Sequence, residues 1–252
     1  MKALLFCEYK KTRRRWLFPA ALLLVAAKLF WALRGHYDAF ALKNGWMMLL
    51  YQLPLINTIF LPLLAMLVSS RLSDLEHKGA MFKQLAAVCD KGKLYDAKLL
   101  YGLGLTGLCM MIDLAVTIGF GYASGFAGGA PVGLYLIYVV FTAVPTLTVY
   151  CFQYMLAMCF QNQAVTFLTG IIGTFAGLFS MFLPSVWLRR LLPFGHYGAL
   201  QFVGLFGWTK VERYANATLE IMTVDWGFCL VSAAVAAALY VLGRYLFVKK
   251  EW

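Results

Sequence analysis

Six long apolar runs constrain the fold of this chain more than any other feature of its sequence. Each run has at least 18 residues, and about 20 helical residues cross the ~30 Å hydrocarbon core of a bilayer. Lipid offers the backbone no hydrogen-bond partners, so segments inside it fold as helices. Charged residues make up 13% of the chain, against about 25% in soluble domains. The sequence therefore predicts one all-α, polytopic membrane domain over residues 1–252, with six transmembrane helices at 16–33, 46–68, 99–122, 132–160, 164–188 and 226–248.

The basic residues predict the orientation of these spans. A net charge of +11 can indicate nucleic-acid binding, but here the cations border apolar runs, so we expect no nucleic-acid partner. Fifteen lysines and arginines fall in the N-terminal segment, in segment 69–100 and at the C-terminal end, whereas six fall on the other side. Since loops rich in these residues stay in the cytoplasm, both termini and segment 69–100 are predicted to be cytoplasmic.

The N-terminal segment, residues 1–15, combines a short apolar run with a dense basic cluster. This pattern favours an interfacial helix whose cations lie on anionic lipid headgroups. A signal peptide is the competing interpretation. It is disfavoured because the apolar run continues past Lys28 to Leu33.

Segment 69–100 is the most polar part of the chain, with six lysines or arginines and four acids. Its apolar residues recur at helical spacing, which predicts a short amphipathic helix at the membrane surface. That helix is either a solvated loop helix or a docking surface that passes force from a cytoplasmic protein into the spans. The residues that set the spacing are Leu75, Gly79, Phe82, Leu85 and Ala86.

Three further expectations concern individual spans. Pro54 and Pro62 predict a kink in the second span. The glycine-rich third span is expected at the centre of the bundle, because small residues let helices approach closely in lipid. The outer segment 189–224 is expected to be re-entrant or interfacial, with short helices that dip into the outer membrane face and with Phe202, Phe206 and Trp208 at headgroup level.

Two ionisable residues, Lys28 and Asp113, lie inside predicted spans. At ~1.5 Å rise per residue, Lys28 lies about 18 Å and Asp113 about 21 Å into the membrane from the cytoplasmic side. Charges at such depth usually pair or face a protein interior, so the sequence predicts an intramembrane charge pair. The alternatives are that Lys28 extends to the outer headgroups and that Asp113 is a buried, protonated carboxyl.

Catalytic and metal-binding motifs do not stand out in the sequence. No phosphate-binding G-x-x-x-x-G-K-[ST] motif occurs, so ATP is not expected to bind this chain through a P-loop. The three histidines and six cysteines lack metal-ligand spacing. A serine-protease arrangement inside the membrane is disfavoured because no histidine falls in a span. The chain is therefore expected not to be an enzyme and to hold neither a metal nor a cofactor.

The organisation resembles the permease subunits of ABC-2 type exporters, in particular the lantibiotic-immunity and bacitracin-export permeases of Gram-positive bacteria. Six spans, the N-terminal interfacial helix, the charged segment 70–98 and the outer segment carry the likeness. Four features of the charged segment match the family pattern: Glu76, Gly79, the amphipathic turn 81–87 and Lys98. The sequence departs from it at 88–90, where Val-Cys-Asp replaces the usual proline and small polar residue.

The resemblance implies a function. Such permeases pair as homo- or heterodimers on two copies of a separate ATPase that binds ATP and magnesium. The helix in segment 70–98 couples ATPase motion to the spans, and the immunity subfamily expels a membrane-active peptide from the bacterial plasma membrane. Two alternative functions are left open. One is a lipid, polysaccharide or drug exporter of the same architecture, and the other is a non-transport scaffold or sensor subunit. The implied ATPase-coupling residues are Glu76, Gly79, Phe82, Leu85 and Lys98.

Overall fold

The computed structural model describes residues 2–13, 15–35, 39–77, 81–208 and 217–250. Helices dominate this part of the chain, and a short two-stranded sheet precedes the last helix. In chain order the elements are α1 (Lys2–Arg13), α2 (Leu17–Leu33), α3 (Ala39–His77), α4 (Met81–Val88), α5 (Lys91–Ala123), α6 (Val132–Cys159), α7 (Gln163–Phe182), α8 (Val186–Leu191), a 3₁₀ turn (Pro193–Gly195), α9 (His196–Ala199), β1 (Val203–Phe206), β2 (Thr218–Ile221) and α10 (Trp226–Lys249).

Five helices of the described chain are long and apolar enough to cross a membrane: α3, α5, α6, α7 and α10. A sixth candidate is the pair α1 and α2, whose axes differ by 72°. Trp16, just before α2, has φ of +57°, a left-handed conformation that bulky residues rarely adopt. The helical, multi-pass architecture predicted from the apolar runs is confirmed. The orientation of its two faces stays a prediction.

The centre of the bundle is α3, and the prediction that the third span lies there was wrong. In the most apolar window of each helix, 72% of α3 is buried but only 22% of α5. A Cβ added to Gly104, Gly107 or Gly119 of α5 would meet no atom within 4 Å. These glycines therefore lie on the outer surface of the bundle. Glycine content alone does not indicate which side of a helix the glycines occupy.

Helix α3 contains both prolines at which a kink was predicted, and a bend of the helix axis there stays a prediction. The helix continues through Pro54 and Pro62, and its interruption lies earlier, at Asn44, where φ and ψ are −111° and 16°. Proline removes one backbone donor, but neighbouring helices can hold such a residue inside a membrane helix. In α3, the strong burial of the helix supplies that support.

The outer segment is more elaborate than the predicted short helices. The fifth apolar run ends as α7 at Phe182, before Pro184, and not at residue 188. Strands β1 and β2 then form an antiparallel hairpin that pairs Val203 with Ile221 and Phe206 with Thr218. The fold is therefore not entirely helical. The sequence did not predict these strands, because four-residue strands are too short to stand out from the surrounding apolar sequence.

The three aromatic residues expected at headgroup level separate into two environments. Phe206 and Trp208 are 49% and 47% exposed, but Phe202 is only 2% exposed. Its ring packs against Phe141 of α6, with 6.0 Å between centroids. Phe202 therefore anchors the outer segment in the core, and the depth of the three rings in the membrane stays a prediction.

The two glycine environments of α5 give a direct stability prediction. A Cβ at Gly102 would collide with the Tyr150 hydroxyl and lie 2.8 Å from Leu72. Gly102→Ala is therefore expected to lower the free energy of unfolding by about 1–3 kcal/mol. Gly119→Ala, in open space, is expected to raise it by about 0.5–1 kcal/mol. Detergent-induced unfolding of the two variants would test this, and equal midpoints would contradict the packing described for α5.

Candidate functional site

Segment 69–100 consists mainly of the ends of two long helices, with α4 between them. Helix α3 runs on to His77, and α5 begins at Lys91, eight residues before the predicted start of the third span. The early start has a local cause, since the Asp90 carboxylate accepts a hydrogen bond of 2.8 Å from the Lys93 backbone N–H and caps the helix. The predicted amphipathic helix is α4. Gly79 lies outside the described residues.

Two of the predicted coupling residues, Glu76 and Lys98, are fully buried and lie in contact. Lys98 Nζ lies 2.8 Å from Glu76 Oε1 and 2.8 Å from Glu8 Oε2, and it donates a third hydrogen bond of 3.2 Å to the Leu72 carbonyl. Lys11 Nζ lies 2.8 Å from Glu76 Oε1 and 3.1 Å from Glu8 Oε1. We call Glu8, Lys11, Glu76 and Lys98 the charge cluster.

The charge cluster contains two carboxylates and two ammonium groups, so its formal charge is zero. Burying charges is costly unless they are paired and hydrogen-bonded, and each of the four side chains has an opposite charge in contact. Burial alone would lower the pKa of Lys11, but hydrogen bonds and charges from Glu76 and Glu8 outweigh it and raise that pKa above its usual value. Lys11 is therefore protonated at neutral pH.

The charge cluster joins three helices at the end of the bundle that carries α4. Glu8 and Lys11 belong to α1, Glu76 to α3 and Lys98 to α5. Beside it, the hydroxyls of Thr12 and Tyr101 lie 2.5 Å apart and add a second link between α1 and α5. A movement of one of these helix ends must therefore disturb the other two.

Sequence reasoning identified Glu76 and Lys98 but missed Glu8 and Lys11. A signal for Glu8 was present, since it is the only acidic residue before Asp38. An isolated acid within a basic, interfacial segment suggests a specific partner. Lys98, one of its partners, lies 90 residues away along the chain, and Lys11 pairs with Glu76 across 65 residues, so the sequence could not name these contacts.

Helix α4 packs on the bundle through Phe82, which is only 2% exposed. The Phe82 ring lies 4.9 Å from the His77 ring and 5.4 Å from the Phe247 ring, centroid to centroid. Leu85 is half-buried on the same side, whereas Val88 is 85% exposed. The predicted coupling residues Phe82 and Leu85 therefore face inwards, and Gln84, Ala87 and Val88 form the exposed face of α4.

Contacts near α4 extend to α6 and α10. A ring nitrogen of His77, Nε2, lies 2.9 Å from the Ala157 carbonyl of α6. Burial lowers the pKa of His77 below its usual value, so the ring is neutral at physiological pH. Arg244 of α10 pairs with Asp96 of α5 at 3.1 Å, and Asp96 also accepts a hydrogen bond from Tyr240. The end of the bundle around α4 is thus tied together by polar contacts.

The structure brings the two intramembrane charges into contact. Lys28 Nζ of α2 lies 2.5 Å from Asp113 Oδ2 of α5, and both side chains are buried. Among the described residues, the other carboxylate oxygen of Asp113 has no hydrogen-bond partner. Asp113 lines a cavity of about 240 Å³ together with Tyr138 and Thr142. A part for this pair in transport stays a prediction.

Other chemistry at the site is limited. Within the described ranges, no three histidine, cysteine or acidic side chains are grouped to hold a metal ion. The six cysteines are free thiols. The arrangement of the site is that of a mechanical connection between helices, held by buried charges and aromatic rings.

Comparison with known proteins identifies the family. Residues 4–177 match the model of a family described as ABC-2 family transporter protein. That range runs from Leu4 of α1 through most of α7, and so it contains the charge cluster, α4 and the Lys28–Asp113 pair. A comparison with curated proteins finds no match. Because the matched range covers more than half of the chain, the protein belongs to the ABC-2 family, and it is a multi-pass membrane permease subunit of a kind that works with an ATPase partner.

Proposed function

We propose that this permease belongs to an ATP-driven exporter in which a separate ATPase docks on the exposed face of α4. One observation carries the proposal. Phe82 of α4 packs on His77, the residue after Glu76 of the charge cluster, and the cluster joins the ends of α1, α3 and α5. A force applied to α4 would therefore reach three helices of the membrane domain.

The short connections around α4 support this path. Residues 78–80 separate it from α3, and residues 89–90 separate it from α5. Phe82 inserts between His77 of α3 and Phe247 of α10. Small shifts at such packed contacts become helix movements because packed cores do not deform continuously. Closure of the ATPases on ATP would supply the shift.

The proposed assembly contains two copies of the ATPase and a second permease subunit, identical to this chain or different from it. ATP and magnesium would bind the ATPase, since the chain has no P-loop motif. The membrane is the bacterial plasma membrane. The proposed substrate is a membrane-active peptide of the lantibiotic type, which the exporter removes from the bilayer to protect the cell that makes it.

The test of coupling must separate docking from folding. Glu76→Ala or Phe82→Ala would remove buried contacts as well as any docking contact. Val88→Glu changes a side chain that is 85% exposed, and such surface changes usually alter stability by less than about 0.5 kcal/mol. It is expected to reduce peptide-stimulated ATP hydrolysis by the reconstituted complex about tenfold, the effect of losing ~1.4 kcal/mol of docking free energy.

The matched control is Ile221→Glu, which alters an aliphatic side chain that is 53% exposed on β2 at the other end of the molecule. It should leave hydrolysis unchanged. Full hydrolysis by Val88→Glu would exclude this face of α4 as the docking site. Normal coupling without any response to membrane-active peptides would leave the docking proposal intact and contradict the proposed substrate.

A further inference from the structure

A deep apolar groove lies in the angle between α1, α2 and α5. Its volume is about 890 Å³, within the range of roughly 300–1,000 Å³ typical of small-molecule sites. Leu5 of α1 and Leu100, Leu105 and Leu108 of α5 line its walls, with Gly104 between them. Because α1 and α2 meet at 72°, neither helix closes the groove. It is an apolar space that is open where the predicted interfacial helix joins the first span.

Two cations lie at the rim of this groove. Arg13 lines it directly, and Lys10 lines an adjoining hollow that shares Phe6, Tyr9 and Arg13 with it. Lys10 Nζ lies 4.7 Å from the centre of the Phe6 ring. Lys11 is engaged with Glu8 and Glu76, but within the described ranges neither Lys10 nor Arg13 has a carboxylate at ion-pair distance. The rim therefore offers two positive charges above an apolar floor.

We propose that this groove is a binding site for one anionic phospholipid of the adjacent leaflet. An acyl chain would fill the apolar groove, and the phosphate would lie between Lys10 and Arg13. The placement of charge favours this occupant, because an apolar body with an anionic head matches both parts of the site. A second copy of this chain fits less well, since it also carries a net charge of +11 and would have to bury these cations without an anionic partner.

The site would influence the charge cluster. Helix α1 supplies Glu8 and Lys11 to the cluster on one side and Tyr9 and Arg13 to the groove on the other. A lipid bound between α1 and α5 would hold α1 against α5. The bound lipid would thus stabilise the contact between the N-terminal helix and the start of α5.

Photo-crosslinking to lipid tests the proposal. The protein is placed in phosphatidylcholine nanodiscs that contain a trace of phosphatidylglycerol or phosphatidylcholine with a photoreactive acyl chain. Labelled peptides are then located by mass spectrometry. The phosphatidylglycerol probe is expected to label α1 and the Leu100–Leu108 part of α5 strongly, and the phosphatidylcholine probe weakly. Gly104→Leu should abolish this labelling because it fills the groove, whereas Gly119→Leu, equally free of neighbouring atoms, should not.

A charge variant tests recognition of the head group. Lys10→Gln with Arg13→Gln should lower the preference for the phosphatidylglycerol probe about 25-fold, roughly fivefold per cation near a membrane surface. The control, Lys2→Gln with Lys93→Gln, removes two exposed cations elsewhere and should change the preference little. Equal labelling by both probes, equal labelling of the Gly104 and Gly119 variants, or protein–protein crosslinks through the groove would each overturn the proposal.

Discussion

Replacing Lys98 with methionine is expected to destabilise this protein by about 3–5 kcal/mol, the usual cost of removing one partner from a buried ion pair. The side chain is fully buried and contacts two carboxylates. Without it, Glu8 and Glu76 face each other with only Lys11 to compensate. Unfolding by titration with a denaturing detergent measures the loss. Lys93→Met, an exposed lysine on the same helix, is the control and should unfold like the unaltered protein.

The charge cluster also predicts a non-additive result. A variant in which all four side chains are neutral (Glu8→Gln, Lys11→Met, Glu76→Gln and Lys98→Met) should be more stable than Lys98→Met alone, because no unpaired charge stays buried. The cluster does not act as a unit if Lys98→Met and Lys93→Met unfold at the same detergent concentration. The same conclusion follows if the quadruple variant is less stable than Lys98→Met.

The second large effect concerns the intramembrane pair. Asp113→Asn leaves the ammonium group of Lys28 buried inside the membrane without its partner, at a cost of about 2.5–3.5 kcal/mol. The exchange Lys28→Asp with Asp113→Lys should recover part of this loss. The yield of folded protein in mixed micelles measures this recovery. Equal yields for the single and exchanged variants would mean that the contact contributes nothing to folding.

The neutral double variant, Lys28→Met with Asp113→Asn, separates folding from transport. Neutral residues in place of a buried pair are often tolerated, so this variant should fold at least as well as Asp113→Asn. If it folds and still exports substrate, the pair serves folding alone. If it folds and does not export, the pair acts in transport.

Several features of this fold could be predicted from sequence because they depend on local composition. The apolar runs predicted the five long membrane helices, and helical rise alone placed Lys28 and Asp113 at similar depth, where the structure finds them 2.5 Å apart. Depth along a helix depends only on residue count. The rotation of a helix about its axis depends on its neighbours, which is why Gly104, Gly107 and Gly119 of α5 were assigned to the wrong environment.

The candidate site was predicted only in part for the same reason. The pattern around Phe82 identified an amphipathic helix, but it could not show that the apolar side already has partners in His77 and Phe247. The resemblance to a known family pointed to Glu76 and Lys98, whereas their link to Glu8 required the fold of the N-terminal helix against α5. Contacts between residues so far apart in sequence have no local signal.

The central claim, that an ATPase docks on the exposed face of α4, is tested most directly by site-specific photo-crosslinking in the assembled complex. A photoreactive residue is placed at Val88, at the buried position Phe82, or at the exposed position Phe206 near the other end of the molecule. We expect a crosslink to the ATPase from Val88 and none from Phe82 or Phe206. A complex that retains ATP hydrolysis but gives no crosslink from Val88, or gives an equal one from Phe206, would contradict it.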